Sequence, residues 1–208
     1  MFEDRDDAAR RLAEALAPWR GQRPLVLAIP RGAVPMGRLV AEALGGELDV
    51  VLVRKIGARY HPEFALAAID ETGELQWTPG IDPAAADPMW LEHEKHAQLD
   101  LLRQRRARYR RGREAIDPAG RVVIVVDDGL ATGSTMAAAL HAIRARKPAR
   151  LICAVPVAAP SALERVRPFA DEVVCLSAPT SFQAVSQFYG RFPQIEDDEV
   201  ERILAGVG

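Results

Sequence analysis

Residues 122–135 read VVIVVDDGLATGST. An apolar run, Val122 to Val126, leads straight into two adjacent carboxylates, Asp127 and Asp128, and then into a turn of small and hydroxyl residues. A short, continuous apolar run is expected of a strand buried on both faces, as in parallel sheets covered by helices. Adjacent carboxylates repel each other, so hydrogen-bond donors or a cation should lie close by. The next stretch supplies donors. Gly129 and Gly133 let backbone N–H groups converge, while Thr132, Ser134 and Thr135 add hydroxyls. A helix expected over about 133–146 adds positive potential at its start.

Such a cup suits a phosphate monoester, to which each charge-assisted hydrogen bond contributes about 1.5–3 kcal/mol. The two acids cannot share that phosphate; they call for hydroxyl donors or a metal-bound water. A ligand with a phosphate at one end and a vicinal diol beside it, as in ribose 5-phosphate, satisfies both halves. The tripeptide DDG alone could equally be a polar turn capping the next helix. A Walker loop is excluded, because Gly129 and Gly133 enclose three residues and no lysine follows. A phosphoacceptor receiver domain is excluded too, since too little chain remains downstream for its further strands.

Working outward, PLVLAIP (24–30) is another short apolar run, and RGAVPMGRLVAEALGG then turns into a helix ended by Gly45 and Gly46. ELDVVLVRK reads as a second strand, with Lys55 at its end. FALAAIDETGELQWT (64–78) reads as a hairpin turning at ETGE, and about 84–114 as a long charged helix. RLICAVPVA and DEVVCLSA are further strands, separated by the helical PSALERVRPFA. A first helix over about 5–17 carries Ala8, Leu12 and Leu16 on one face. Strands alternating with helices mean an α/β, doubly wound, mainly parallel sheet, whose ligands bind at the carboxyl ends of the strands. Asp127, Asp128, Arg31, Gly32 and Lys55 are all expected at such ends.

The run 122–135 resembles the phosphoribosyl pyrophosphate (PRPP) signature of the type I phosphoribosyltransferases: an apolar strand, two acids, then a Thr/Gly/Ser loop. The likeness extends loosely over residues 24 to about 176. It implies a Rossmann-like core with a small hood, one domain over 1–208, a helical insertion over 78–118 and a hood or tail over 177–208. It also implies that Asp127 and Asp128 hold the ribose hydroxyls, directly or through magnesium-bound water. Ala131, Thr132, Gly133, Ser134 and Thr135 would wrap the 5-phosphate. IPRGAVP (29–35) fits the family's pyrophosphate loop, with Arg31 as a planar cation and Gly32 admitting close approach. A non-proline cis peptide is expected there, near Arg31–Gly32. The resemblance places Lys55 at the pyrophosphate or base pocket, and strand alternation puts Arg54 on the opposite face. GARYHPEF (57–64) stands where the family keeps a mobile loop, and Tyr60 and His61 could close over substrate.

Purine-using relatives often carry an acid where this chain has Ala131, and alanine cannot take a proton from a base. The general base is therefore unassigned. Candidates for the base pocket are Phe182, Phe188 and Tyr189, with Phe192, in APTSFQAVSQFYGRF (178–192). The 78–118 segment, with Trp77 or Trp90, is the other candidate. The same aromatics could simply pack the tail onto the core.

The formal net charge of −2 gives no global pull toward nucleic acid. The basic run RQRRARYRRGR (103–113) follows an acidic stretch, so one solvated helix explains both. His93 and His96, three apart on that helix, are a weak metal signal without a third ligand. No apolar run reaches the ~20 residues of a membrane helix, and the opening MFEDRDDAARRLAEAL does not read as a secretory signal. Cys153 and Cys175 lie in strand-like runs and are expected to be buried, reduced thiols of a cytoplasmic protein. The expected activity is magnesium-dependent transfer of ribose 5-phosphate from PRPP to a nucleobase, with a homodimer suggested by resemblance alone. The alternative is a PRPP-sensing regulator, able to bind RNA, that performs no transfer.

Overall fold

The computed structural model describes residues 1–78 and 80–206. Residue 79, inside the expected insertion, and residues 207–208, at the end of the expected tail, lie outside it. The strands of the central sheet are β1 (Leu25–Ala28), β2 (Glu47–Val50), β6 (Val122–Val126), β7 (Arg150–Val157) and β8 (Glu172–Ser177). They run in the order β2-β1-β6-β7-β8, and every pairing is parallel. A smaller antiparallel sheet is formed by β3 (Val53–Ala58), β4 (His61–Asp70) and β5 (Leu75–Trp77).

Alternation along the central strands sorts the core into two layers. Val26, Ala28, Ile124, Val126, Ile152 and Ala154 face one side, where Leu12 and Val40 of α1 (Arg5–Ala15) and α2 (Ala33–Leu44) cover them. Leu25, Leu27, Val123, Val125, Leu151 and Cys153 face the other, against Leu140 of α4 (Ser134–Ala145) and Ala162 of α5 (Pro160–Val166). Both faces are covered, which is why these strands read as unbroken apolar runs.

The expected single strand over 47–55 is two strands. Val51 still donates to the Ala28 carbonyl at 3.1 Å, but the chain then leaves the sheet and Arg54 and Lys55 pair with Ile69 and Ala68 of β4. Val51 and Leu52 bury on opposite layers, so the side-chain pattern runs on across the break and hides it. Lys55 is therefore not at the end of a central strand. The hairpin at Glu71–Glu74 is as expected, and its Asp70 carboxylate accepts from the Thr72 and Glu74 amides at 2.9 and 3.3 Å. GARYHPEF is short: β3 passes into β4 through a tight turn, with Tyr60 and His61 exposed at its tip. Cys153 is buried, whereas Cys175 is only half-buried; both are free thiols.

Helix α3 (Pro88–Arg110) is capped by Asp87, which accepts from the Met89 and Trp90 amides. Its far end is pinned by Arg110, 4% exposed, which bonds Asp49 at 3.2 Å, the Val50 carbonyl at 3.0 Å and Glu71. Helix α6 (Asp197–Leu204) lies beside α3, where Arg108 meets Asp197, Asp198 and Glu201, and Arg111 meets Glu201. Residues 2–3 pair with 188–191: Phe2 donates to the Phe188 carbonyl, Gly190 to Phe2 and Arg191 to Glu3, each at 2.8 Å.

Candidate functional site

Three segments meet at the carboxyl edge of the central sheet. Register aligns Ala28 with Val126, and Val126 with Ala154, so the turn after β1 lies beside the acids that end β6. Ile29 donates to the Val126 carbonyl at 3.0 Å and Asp127 to the Ala154 carbonyl at 3.4 Å. The chain then turns through Gly129, where an added Cβ would lie 2.6 Å from Val185. The non-proline cis peptide falls at Pro30–Arg31, one bond before the expected position.

The acids are differently held. The Asp127 carboxylate accepts from the Asp128 amide at 2.9 Å. Burial, and then the charge of Asp128, push the Asp127 carboxyl well above the usual range. Asp128 is also pushed up by burial, against which Arg5 acts. Arg5 donates from Nε and Nη2 to one oxygen, Asp128 Oδ2, at 3.0 and 2.9 Å, with the two side chains 9% and 16% exposed. Its guanidinium also lies 3.7 Å over the Phe192 ring and donates to the Pro193 carbonyl at 2.6 Å. This is the positive partner that the acid pair required. The sequence held a sign of it, because Arg5 shares the buried helical stripe of Ala8 and Leu12.

The loop after the acids turns tightly into a helix start. Gly133 is left-handed at φ 73°, and an added Cβ would lie 2.9 Å from the Ala162 carbonyl, so a side chain there is excluded twice. Helix α4 begins at Ser134, with its first N–H groups turned to the loop. Ala131, Thr132 and Thr135 are exposed beside it. Arg165 of α5 donates to Ser134 Oγ at 2.7 Å. It adds a cation that sequence inspection passed over because it lies 30 residues downstream of Thr135.

Other candidates fall differently. Gly32 is crowded by Asp128 itself: an added Cβ would sit 2.1 Å from Asp128 Oδ2. Its lack of a side chain makes room for the acid, whatever else approaches. Arg31 reaches toward Glu196 at 3.3 Å and Asp197 at 3.9 Å. Tyr189 is not an open stacking surface. It is 6% exposed between Phe2 and Phe192, and its hydroxyl donates to the Asp128 carbonyl at 2.6 Å. Phe182 and Phe188 are half-buried against each other, with centroids 5.1 Å apart. His93 and His96 are exposed on α3, and His96 is hydrogen-bonded to the Glu92 carbonyl.

A cavity of about 520 Å³ opens beside this edge, bordered by Pro30 and Thr135 on one side and by Trp90 on α3. Arg54 and Lys55 both border it, Arg54 from the face of β3 that carries Ile56 and Lys55 from the face that carries Val53, so the expected alternation holds. Among the described residues no three or more His, Cys, Asp or Glu side chains converge as a metal cage, and no helix is long and apolar enough to cross a membrane.

Comparison with known proteins agrees with this geometry. The family model of the phosphoribosyl transferase domain matches residues 3–190. Two Mycobacterium tuberculosis proteins, from strains CDC 1551 and H37Rv and provisionally named phosphoribosyl transferases, are each 41% identical over 210 residues. The alignment takes in 98% of this chain but 46% of each relative, so the chain spans about half their length. The crystal structure of TT1426 from Thermus thermophilus superposes with a TM-score of 0.93 at 50% identity, covering 100% of this chain and 99% of that one. The match over residues 3–190, with relatives 41% identical over 98% of this chain, makes this chain a member of the phosphoribosyl transferase domain family.

Proposed function

We propose that this protein is a glycosyltransferase that moves ribose 5-phosphate from PRPP to a nitrogenous base and releases pyrophosphate. The observation that carries the reading is the meeting, at one sheet edge, of a phosphate-sized loop, an acid pair beside it and the turn at residues 30–32. In this reading the 5-phosphate lies on Thr132–Thr135 and the α4 start. Asp127 and the open oxygen of Asp128 accept hydrogen bonds from the ribose hydroxyls.

Transfer breaks the bond from ribose C1 to the pyrophosphate oxygen, whose electron pair leaves with pyrophosphate. A base nitrogen then supplies the pair for the new C1–N bond and gives up its proton. Ala131 cannot receive that proton, so it passes to water or to an acceptor outside the loop. Positioning and electrostatics supply the rate, since no covalent enzyme intermediate is needed.

Magnesium suits this donor set as a substrate-borne ion. With two carboxylates, one already bonded to Arg5, the protein offers no full cage, and magnesium commonly keeps waters and borrows phosphate oxygens. When bound it would neutralise pyrophosphate charge; Asp127 and Asp128 would meet it through water. The small-molecule partners are PRPP and a nucleobase. The RNA-binding regulator loses its support, because Arg108, Arg110 and Arg111 of the basic run are already paired with acids.

The test is incubation with PRPP and magnesium against a panel of purines and pyrimidines, with pyrophosphate as the readout. Base-dependent release, abolished in Asp127→Asn/Asp128→Asn, is the expected result. PRPP binding without turnover on any base would favour a sensor, and release without a base would mean hydrolysis.

A further inference from the structure

A second cavity, of about 240 Å³, opens between β4 and α4. Neither Asp127 nor Asp128 borders it, and it shares no lining residue with the cavity beside Pro30. Its floor is alanine on both sides: Ala65 and Ala68 of β4 look toward Ala137 and Ala138 of α4. Protein interiors are close-packed, and side chains this small on both facing elements leave a gap that larger ones would fill. Two aromatic rings, Phe64 and Phe169, complete the apolar wall. Phe64 is 54% exposed, a large apolar surface kept at the rim. Phe169 is held edge-on by His141, with centroids 5.5 Å apart and planes at 87°.

The polar groups on this wall are few and specific. Arg165 is the charged side chain there, and among the described residues no Asp or Glu borders the cavity. Its guanidinium donates to Ser134 Oγ at 2.7 Å, and among the described residues it has no carboxylate within ion-pair distance. His141 donates a ring N–H to the Trp77 carbonyl, and burial lowers its pKa, so it adds no charge near neutral pH. Gln76 lies opposite Ala68 in the β4–β5 register, and its side-chain amide has no hydrogen-bond partner among the described residues. The Thr78 hydroxyl donates to the Ala65 carbonyl at 2.9 Å, which leaves its oxygen as an acceptor.

We infer that this cavity is a second ligand site, for a flat, mainly apolar ring system that carries one carboxylate. The rings lie over the alanine floor between Phe64 and Phe169, and the carboxylate meets Arg165. A planar guanidinium presents two N–H groups to two carboxylate oxygens at once. One cation balances one negative charge, whereas a phosphate dianion would leave charge unpaired beside apolar walls. The volume lies below the roughly 300–1,000 Å³ of sites for drug-sized ligands, so one or two fused rings fit. The site meets the proposed phosphate loop at the Ser134 side chain and does not depend on the phosphoribosyl-transfer reading.

The test is isothermal titration of the full chain with four probes: 1-naphthoate, the neutral 1-naphthamide, 1-naphthyl phosphate and ribose 5-phosphate. Naphthoate is expected to bind one to one and at least tenfold more tightly than either other naphthyl compound. Arg165→Gln should remove its advantage over the amide. Ala138→Leu, which fills the floor, and Phe64→Ala, which strips the rim, should each weaken naphthoate at least tenfold and leave ribose 5-phosphate within about twofold. If Ala138→Leu does not fold, Phe64→Ala at the exposed rim decides. Wild-type protein that does not bind naphthoate, or binding undiminished in both variants, overturns the site. Amide or phosphate binding as tight as naphthoate overturns the assigned carboxylate. Naphthoate bound without ribose 5-phosphate supports this site and tells against the transferase reading alone.

Discussion

Gly32 and Asp128 touch so closely that a single methyl group on the glycine would occupy the place of the carboxylate oxygen, at 2.1 Å. The turn after one strand and the acid after another are thus one unit. Gly32→Ala should displace the Asp128 side chain while α2, which starts at the next residue, keeps its helix. Ribose 5-phosphate affinity is expected to fall at least tenfold, measured by calorimetry, with little change in far-ultraviolet circular dichroism. Unchanged affinity would mean that Asp128 is not needed where it stands.

Arg5 bears on the same acid from the other side. Removing one member of a buried, hydrogen-bonded ion pair generally costs about 3–5 kcal/mol, because the remaining charge is stranded. Arg5→Met is therefore expected to lower the denaturant midpoint markedly. In the background of Asp128→Asn the same change should cost much less. A double-mutant cycle showing no coupling would separate the two residues energetically.

Asp127 makes a prediction with a pH signature. Its folded-state carboxyl is raised, by burial first and the Asp128 charge second. Between the unfolded pKa and this raised value the folded protein holds a proton that the unfolded chain has lost, so stability falls as pH rises through that window. Asp127→Asn lacks this dependence but keeps an oxygen for the Asp128 amide. It is expected to melt higher than wild type near neutral pH, by roughly 2–4 °C for about 1 kcal/mol, with the gap closing toward pH 4. The same variant should lose ribose 5-phosphate binding. A variant that melts lower at neutral pH would refute the assigned burial cost.

The basic run makes a prediction of absence. With Arg108, Arg110 and Arg111 committed to acids, single-stranded RNA should show no salt-sensitive binding in a filter assay at physiological ionic strength. Glu201→Gln releases one partner of both Arg108 and Arg111. It is expected to loosen α6 from α3, seen as faster amide exchange in both helices.

Much of this was legible in the sequence alone. Runs such as Val122–Val126 have no polar face, and that by itself marks strands covered on both sides. The glycine and hydroxyl pattern of 129–135 marked the turn into a helix start for equally local reasons. What escaped depended on contacts distant in sequence. Arg5 reaches Asp128 across 123 positions, and Arg165 reaches Ser134 across 31. The two sheets were merged because Val51 and Leu52 keep their alternation while the chain changes partners. Tyr189 looked available for a base because aromatic residues announce an apolar face without saying which neighbour covers it.

The short pairing of residues 2–3 with 188–191 makes the two outer stretches of the chain a common hinge post for the acids. Arg5 follows one stretch, Tyr189 belongs to the other, and both end on Asp128. A fusion partner joined ahead of Phe2, or a protease nick near Gly190, would therefore be transmitted to Asp128 even though neither touches it.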